Sequence, residues 1–280
     1  MNTRTVLVTG GAGFIGNYLC RRLLKDGHKV ICFDNLSTGS LENIKDIQDK
    51  VVFIKGDANR YEDLKKVFDA FPVDTVFHYA AVVGVKRTLE DPVSVMKDLN
   101  GIQWILELSM LYNVKKVVFS SSSEVYGEPV EIPEIETGHV NAKLPYAVVK
   151  LAGEKWLQAY HQMYGLNTTS LRFFNVYGPR QESSPYGFVV GIFIKQVLEG
   201  KAPTIFGDGS QTRDFVYIDD NIEAAMHAME SEKTAGEVIN IGTGRPTTIL
   251  DLAEDIIMVA GKRDELHVKF LGDIRNDVKH

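Results

Sequence analysis

Short apolar runs rich in β-branched residues alternate along the chain with longer segments whose apolar residues recur at helical spacing. Such runs, separated by helix-length segments, indicate βαβ units and a parallel sheet that is covered on both faces. Because crossovers between parallel strands are right-handed, a doubly wound sheet is the simplest topology. The sequence therefore predicts an α/β fold. We expect strands at 5–9, 29–33, 51–54, 74–78, 116–120 and 168–174, and helices around 14–26, 60–70, 92–112 and 145–164.

The regular alternation loosens after about residue 175. Stretches that contain glycine and proline, at 175–188 and 199–215, interrupt shorter helices and strands. We therefore expect a first domain at 1–174 and a smaller α/β lobe at 175–280. Parts of 215–243 again have the pattern of a helix and a strand, so we expect them to return to the first domain and interleave the two units.

Composition narrows the choice of partners. The 280 residues include 31 Lys and Arg against 37 Asp and Glu, a net charge of −6, which disfavours nucleic acid. No apolar stretch approaches the ~20 residues that span a bilayer, and the N-terminus leads directly into a strand. We therefore expect a cytoplasmic protein with no membrane partner. Cys20 and Cys32 have no CxxC or Cys/His spacing, so neither a disulfide framework nor a metal site is expected.

A glycine-rich loop joins the first predicted strand to the first helix. Gly11, Gly13 and Gly16 satisfy GxGxxG, and Gly10 begins a second glycine spacing. Glycines there let the backbone approach a pyrophosphate, which binds the free N–H groups and positive end of the helix. The motif alone is a weak signal, and an accidental glycine-rich turn is the alternative.

The second predicted strand ends at Asp34, about twenty residues further on. A carboxylate there can accept hydrogen bonds from the adenosine ribose and repels a 2′-phosphate. NAD is therefore favoured over NADP, on a Rossmann-type domain. A strand-end Asp that only caps a turn is the alternative, and the same alternative applies to Asp57.

Tyr146 and Lys150 lie four residues apart near the start of a predicted helix, so that both project from one face. Chance alone yields about one such Tyr/Lys pair in a chain with this composition. Their placement adds weight, because the strand at 116–120 leads into the serine-rich segment 120–127. The carboxyl ends of strands are where open α/β sheets bind ligands, although such a turn can also be a solvated loop.

Seven segments together resemble one family. In order, the segments GGAGFIG, DNLSTG, HYAA, SSSEVYG, YAVVK, RFFNVYGPR and FGDGSQTRDF are similar to those of extended short-chain dehydrogenase/reductases, the NAD-dependent nucleotide-sugar epimerases and dehydratases. The resemblance covers nearly the whole chain. It implies a transient oxidation of the sugar at C4.

The resemblance also implies residue roles. Tyr146 would be the general base for the C4 hydroxyl, Lys150 would hold the nicotinamide ribose and favour the tyrosinate, and Ser122 would bind the same oxygen. Ser123 and Glu124 complete the implied catalytic group. The implied NAD-binding residues are Gly10, Gly13, Phe14, Ile15, Gly16, Asp34, Asn35, Asp57, Ala58, Ala80, Ala81, Ser120, Tyr146, Lys150 and Phe173, and the implied substrate-binding residues are Asn175, Thr204, Phe206 and Arg213.

Three features depart from the family pattern. Asp98 stands where many members have Asn, which affects hydrogen bonding on the nicotinamide side. Phe270 stands where an arginine commonly binds phosphate, so Arg213 or Arg275 would carry more of that work. The chain ends at His280, whereas relatives usually continue through another helix of the substrate lobe. The resemblance therefore supports the binding of NAD more strongly than the binding of a sugar nucleotide.

The shared oxidation step leaves several reactions open. The best match is a 4-epimerase of the UDP-hexose type, acting as a homodimer through the helices around 92–112 and 145–164. Burial against the sheet is the alternative for the candidate interface residues, which are the apolar residues Trp104, Ile105, Leu108, Leu151 and Trp156. Glu124 keeps a UDP-glucuronate-type decarboxylase or a 4,6-dehydratase open, and a non-catalytic NAD-binding regulator is a further alternative.

Overall fold

A computed structural model describes residues 3–181 and 187–272, with the backbone alone at 85–87. Its strands, in chain order, are β1 (Thr5–Thr9), β2 (Lys29–Asp34), β3 (Val52–Lys55), β4 (Thr75–His78), β5 (Lys116–Ser122), β6 (Thr168–Phe173), β7 (Asn175–Tyr177), β8 (Thr204–Phe206), β9 (Thr212–Tyr217), β10 (Val238–Ile241), β11 (Pro246–Thr248) and β12 (Lys269–Leu271). Its helices are α1 (Phe14–Lys25), α2 (Tyr61–Ala70), α3 (Val85–Glu90), α4 (Pro92–Met96), α5 (Asp98–Leu111), α6 (Pro145–Tyr164), α7 (Val189–Leu198), α8 (Ile218–Glu230) and α9 (Ile249–Val259).

Seven parallel strands form one sheet in the order β10-β6-β5-β4-β1-β2-β3. The predicted doubly wound α/β fold is therefore confirmed. The chain reverses its direction of winding between β1 and β4, and at such a switch point the carboxyl ends of the strands open a crevice for ligands. Strand β10 lies beside β6, so the chain returns to this sheet after residue 237.

The core lies in two layers, one on each face of the sheet. Side chains alternate across a strand, so Val6 and Val8 of β1 face the layer that contains residues of α1 and α8. Leu7 of the same strand faces the opposite layer, which contains residues of α2, α5 and α6. Burial on both faces explains why these strands read as continuous apolar runs.

A smaller unit follows the sheet. Strands β11, β9 and β7 form one three-stranded sheet, and β12 pairs with β8. Helices α7 and α9 pack around a separate apolar cluster that includes Phe193, Ile205 and Ile249. Within the described ranges, no helix has the length and apolar character that crossing a membrane requires.

Two sequence expectations differ in detail. The predicted helix at 92–112 consists of α4 and α5, which are separated at Lys97. Ile105 and Leu108 are buried in the core, which is the alternative to their role at a subunit interface. Arg275 lies outside the described residues.

Candidate active site

The glycine-rich loop turns sharply between β1 and α1. Gly10 has φ +69°, and a Cβ there would lie 2.8 Å from the backbone nitrogen of Ala80. A Cβ on Gly16 would lie 2.1 Å from the carbonyl oxygen of Gly10. Any side chain at these two positions would force the loop away from the helix. The first N–H groups of α1 have no partner within the helix. The glycines therefore allow an anion to approach these N–H groups closely.

Asp34 ends β2 beside this loop. One carboxylate oxygen accepts a hydrogen bond from the Ala12 N–H at 3.0 Å, and the other accepts one from the Leu36 N–H at 2.7 Å. Burial raises the pKa of Asp34, and the two backbone bonds oppose this shift. Each carboxylate oxygen can accept a further bond. The side chain therefore has spare acceptor capacity for ribose hydroxyls while its orientation is fixed.

A cavity of about 290 Å³ opens at the carboxyl ends of the strands. All the implied NAD-binding and catalytic residues line it, together with Asn175. Thr204, Phe206 and Arg213 do not line it: they lie in β8 and β9 of the smaller unit. The cavity is also lined by residues to which the sequence reasoning gave no role at the site, including Thr38, Tyr79, Leu144, Phe174 and Phe188.

Lys150 is buried in the wall of this cavity. Its Nζ donates to the Ser120 carbonyl oxygen at 2.6 Å and lies 3.3 Å from the Ser120 hydroxyl. It also lies 5.4 Å from the centre of the Tyr146 ring. Burial lowers the pKa of Lys150 to about 8, and the carboxylates of Asp98 and Glu154 oppose this shift. At neutral pH the ammonium group is therefore charged, close to the tyrosine.

Tyr146 lies one helical turn before Lys150 in α6. Burial raises the pKa of its phenol, and the negative charge of Glu124 raises it further. A hydrogen bond with the Ser122 hydroxyl acts in the opposite direction. Tyr146 thus needs added positive charge nearby to act as a base near neutral pH.

The Ser122 hydroxyl also stabilises the turn that carries Glu124. It accepts a hydrogen bond from the Glu124 N–H at 3.2 Å and caps the short helical turn Ser123–Val125. Ser122, Ser123 and Glu124 all line the cavity with Tyr146. The structure therefore brings the Tyr146 phenol, an ammonium group, hydroxyls and the Glu124 carboxylate to the same cavity.

The two departures from the family pattern that fall within the described residues lie in different places. Asp98 is buried at the cavity wall, where it accepts bonds from the Val82 N–H at 2.7 Å and the Asn59 amide at 2.9 Å. Phe270 is half exposed in β12, away from the cavity lining. The first departure therefore bears on the site directly.

Comparisons with known proteins agree with this geometry. The model of the "NAD dependent epimerase/dehydratase family" matches residues 6–242. The chain belongs to this family. It is accordingly an NAD-dependent enzyme of the sugar-nucleotide epimerase/dehydratase type, and its cofactor is NAD. The fit is physical: the glycine loop leaves room for a pyrophosphate, and Asp34 keeps acceptors for a ribose.

The chain is 40% identical to a UDP-glucose 4-epimerase of Mycolicibacterium smegmatis over 96% of its own length and 87% of that protein. It is 36% identical to a UDP-N-acetyl-alpha-D-glucosaminuronate decarboxylase of Bacillus cytotoxicus, over 94% and 83% of the two chains. The crystal structure of a UDP-glucose 4-epimerase from Thermotoga maritima with UDP-glucose superimposes with a TM-score of 0.93 at 37% identity, covering 98% of this chain and 88% of that one.

Proposed function

We propose that the protein is a UDP-hexose 4-epimerase that acts through a transient 4-keto sugar. The observation that carries the proposal is the convergence of Tyr146, Lys150 and Ser122 on the cavity that the glycine loop and Asp34 also line. Similarity to UDP-glucose 4-epimerases over most of the chain supports the choice of reaction.

Each residue has a distinct task in this proposal. Tyr146, as the phenolate, accepts the proton of the C4 hydroxyl, and Ser122 donates a hydrogen bond to the same oxygen. Lys150 stabilises the phenolate by its charge and, through its bond to Ser120, keeps a fixed position. Bound NAD supplies the hydride acceptor and a positive charge beside the phenol. Asp34 would orient the adenosine ribose.

Epimerisation requires the keto sugar to rotate in the site and receive hydride on its other face. No further proton transfer at C5 or C6 is needed. Ser123 stands where classical 4,6-dehydratases carry an Asp before the Glu, and Val82, Val83 and Gly84 replace their usual polar loop. These features support epimerisation over dehydration.

Decarboxylation of a UDP-glucuronate-type substrate is the second candidate. Glu124 lines the cavity, and its charge raises the pKa of Tyr146, so the carboxylate lies close to the reacting region. The similarity to the Bacillus cytotoxicus decarboxylase favours keeping this reaction in view.

The remaining assignments follow from the same proposal. The unit at 1–174, with parts of 215–243, binds NAD, and the lobe at 175–280 binds the nucleotide. Asn175 would contact the substrate from the cavity wall, while Thr204, Phe206 and Arg213 would contact the nucleotide from β8 and β9. A homodimer would form through α5 and α6, which pack against each other and expose Trp156, Met163 and Tyr164 of α6.

The proposal is tested by incubating the protein and NAD with a panel of UDP- and dTDP-sugars and separating the products. We expect a UDP-hexose to be converted to its C4 epimer. Loss of carbon dioxide from a UDP-uronate would support the second candidate instead. NAD binding without turnover of any sugar would identify a regulator and contradict the proposal.

A further inference from the structure

A buried ion pair lies behind the catalytic residues. Arg172 of β6 donates from Nε and from one terminal nitrogen to the two carboxylate oxygens of Glu154 in α6, at 2.8 Å each. The side chains are 3% and 0% exposed. Removing the charges of Arg172 and Glu154 from water costs free energy. The two parallel hydrogen bonds fix the plane of the guanidinium group, which a single hydrogen bond would not do.

This pair reaches one end of the turn that carries the catalytic serine. The Ser121 hydroxyl donates to Glu154 at 2.5 Å. Ser121 immediately precedes Ser122 and is itself buried. The position of the Glu154 carboxylate therefore constrains the backbone at Ser122.

The same guanidinium reaches the other end of the turn. The second terminal nitrogen of Arg172 donates to the Tyr126 hydroxyl at 2.8 Å. The guanidinium carbon Cζ of Arg172 lies 4.7 Å from the centre of the Tyr126 ring. The Tyr126 hydroxyl in turn donates to Asn240 of β10 at 2.7 Å. Ser122 and Glu124 thus lie between two anchor points that meet on Arg172.

Glu154 also belongs to the helix that carries the proposed base. It follows Lys150 by one turn of α6 and Tyr146 by about two turns. A single ion pair therefore joins the helix of Tyr146 to the turn of Ser122. The two hydroxyls that must meet one sugar oxygen are held by the same link.

We propose that Arg172 is a positioning residue that, through Glu154 and Tyr126, sets the placement of Ser122 relative to Tyr146 for oxidation at C4. The proposal rests on the proposed function only through this oxidation, which the epimerase, decarboxylase and dehydratase reactions share. A displacement of about 1 Å at reacting groups can reduce rates by 10²-fold.

Tyr126→Phe is the mildest test, because it removes one anchor and keeps the ring against Arg172. We expect kcat to fall about tenfold, while the KM and the Kd for NAD stay within about twofold. The deuterium isotope effect on kcat with C4-deuterated substrate should rise, because hydride transfer becomes slower. Arg172→Lys, which keeps the charge without the planar two-point contact, should have a larger effect.

Thr168→Val is the matched control. Thr168 donates a buried hydrogen bond to the Leu157 carbonyl oxygen, between the same strand and helix but at their far end. We expect this variant to lose stability and keep the kcat per folded molecule and the isotope effect of the wild type.

Crystal structures of Tyr126→Phe and Thr168→Val give a readout that needs no substrate. We expect the separation between the Ser122 and Tyr146 hydroxyl oxygens to change in Tyr126→Phe and not in Thr168→Val. Unchanged separation, or wild-type kcat and isotope effect in Tyr126→Phe and Arg172→Lys, would overturn the positioning role. A wild-type protein that turns over no sugar nucleotide would contradict the proposed function, while the structural comparison would still decide the role of Arg172.

Discussion

Asn59 and Asp98 form a side-chain hydrogen bond in which the Asn59 amide nitrogen is the donor and an Asp98 carboxylate oxygen is the acceptor. The Asn59 oxygen already accepts a bond from the Gly101 N–H at 3.2 Å, so its nitrogen points toward Asp98. The other Asp98 oxygen accepts from the Val82 N–H. Both neighbours of the Asp98 carboxylate are therefore donors, and an Asn at 98 could satisfy only one of them.

This arrangement predicts a measurable effect of Asp98→Asn on stability and pH dependence. Leaving one buried donor unpaired should cost about 1–3 kcal/mol in the free energy of unfolding. Burial lowers the pKa of Lys150 to about 8, and the charge of Asp98 opposes this shift. The same charge raises the pKa of Tyr146. Removing the Asp98 charge should lower both pKa values, so both limbs of the pH profile of kcat should move to lower pH.

The groups facing these two residues make the control specific. Glu124 and Ser122 face Tyr146, and Glu154 and Ser120 face Lys150, and all four remain in the variant. In the double variant Asp98→Asn with Asn59→Asp, donors and acceptors match again and the charge lies at 59. We expect stability to recover in this double variant, which separates the cost of the unpaired donor from the effect of the charge. An unshifted profile in Asp98→Asn would show that its charge does not act on the catalytic pair.

Tyr146→Phe tests the proposed base. The change removes the phenol and keeps the ring, so the fold and the Kd for NAD should change little. Turnover should fall by about 10²–10⁴-fold, as for loss of a positioned general base. Tyr160→Phe, in the same helix but outside the cavity lining, is the control and should keep full turnover. Wild-type turnover in Tyr146→Phe would place the base elsewhere.

Glu124→Gln separates the candidate reactions. An epimerase has no obligatory proton for this carboxylate to move, so we expect turnover within about tenfold of the wild type. Ser122→Ala should cost more, because it removes a hydrogen bond to the oxygen whose charge changes. If Glu124→Gln forms no product while NADH accumulates on the enzyme, the keto sugar stalls after oxidation and the decarboxylase or dehydratase reaction is favoured.

The proposed homodimer is tested by Trp156→Glu. Trp156 lies in α6 and is 36% exposed, so a charge there should disfavour an apolar interface, and circular dichroism of the variant checks that the fold is kept. We expect sedimentation to show a dimer for the wild type and a monomer for the variant at micromolar concentration. Leu198→Glu, at a 72% exposed position in α7, should remain dimeric. A monomeric wild type would remove the dimer proposal.

The sequence predicted the parallel sheet and the cofactor loop because both depend on local signals. Apolar runs separated by helix-length segments identify βαβ units, and the glycine spacing and Asp34 follow from backbone geometry at the first two strands. The link between Tyr146 and Lys150 is likewise a helical spacing. Each of these features can be read within about thirty residues.

Contacts between distant segments could not be predicted in this way. The bond from Arg172 to Tyr126 joins residues 46 positions apart, and that from Asn59 to Asp98 joins residues 39 apart; neither pair has a characteristic spacing. The pattern could not show whether Ile105 and Leu108 lie in the core or at an interface, because most positions of α5 are apolar. Only packing against the sheet shows which face is buried.

In the proposed epimerisation, hydride leaves C4 and returns to C4, the C4 hydroxyl proton moves to Tyr146 and back, and no bond at C5 or C6 changes. The most direct measurement is to run the reaction with UDP-glucose in D₂O and determine the mass and proton NMR spectrum of the product. After return of the product to H₂O we expect UDP-galactose of unchanged mass, with no deuterium bound to carbon, because the hydride never exchanges with solvent. A product lighter by water, with solvent deuterium on carbon, would contradict epimerisation, and so would loss of carbon dioxide from a UDP-uronate in a parallel reaction.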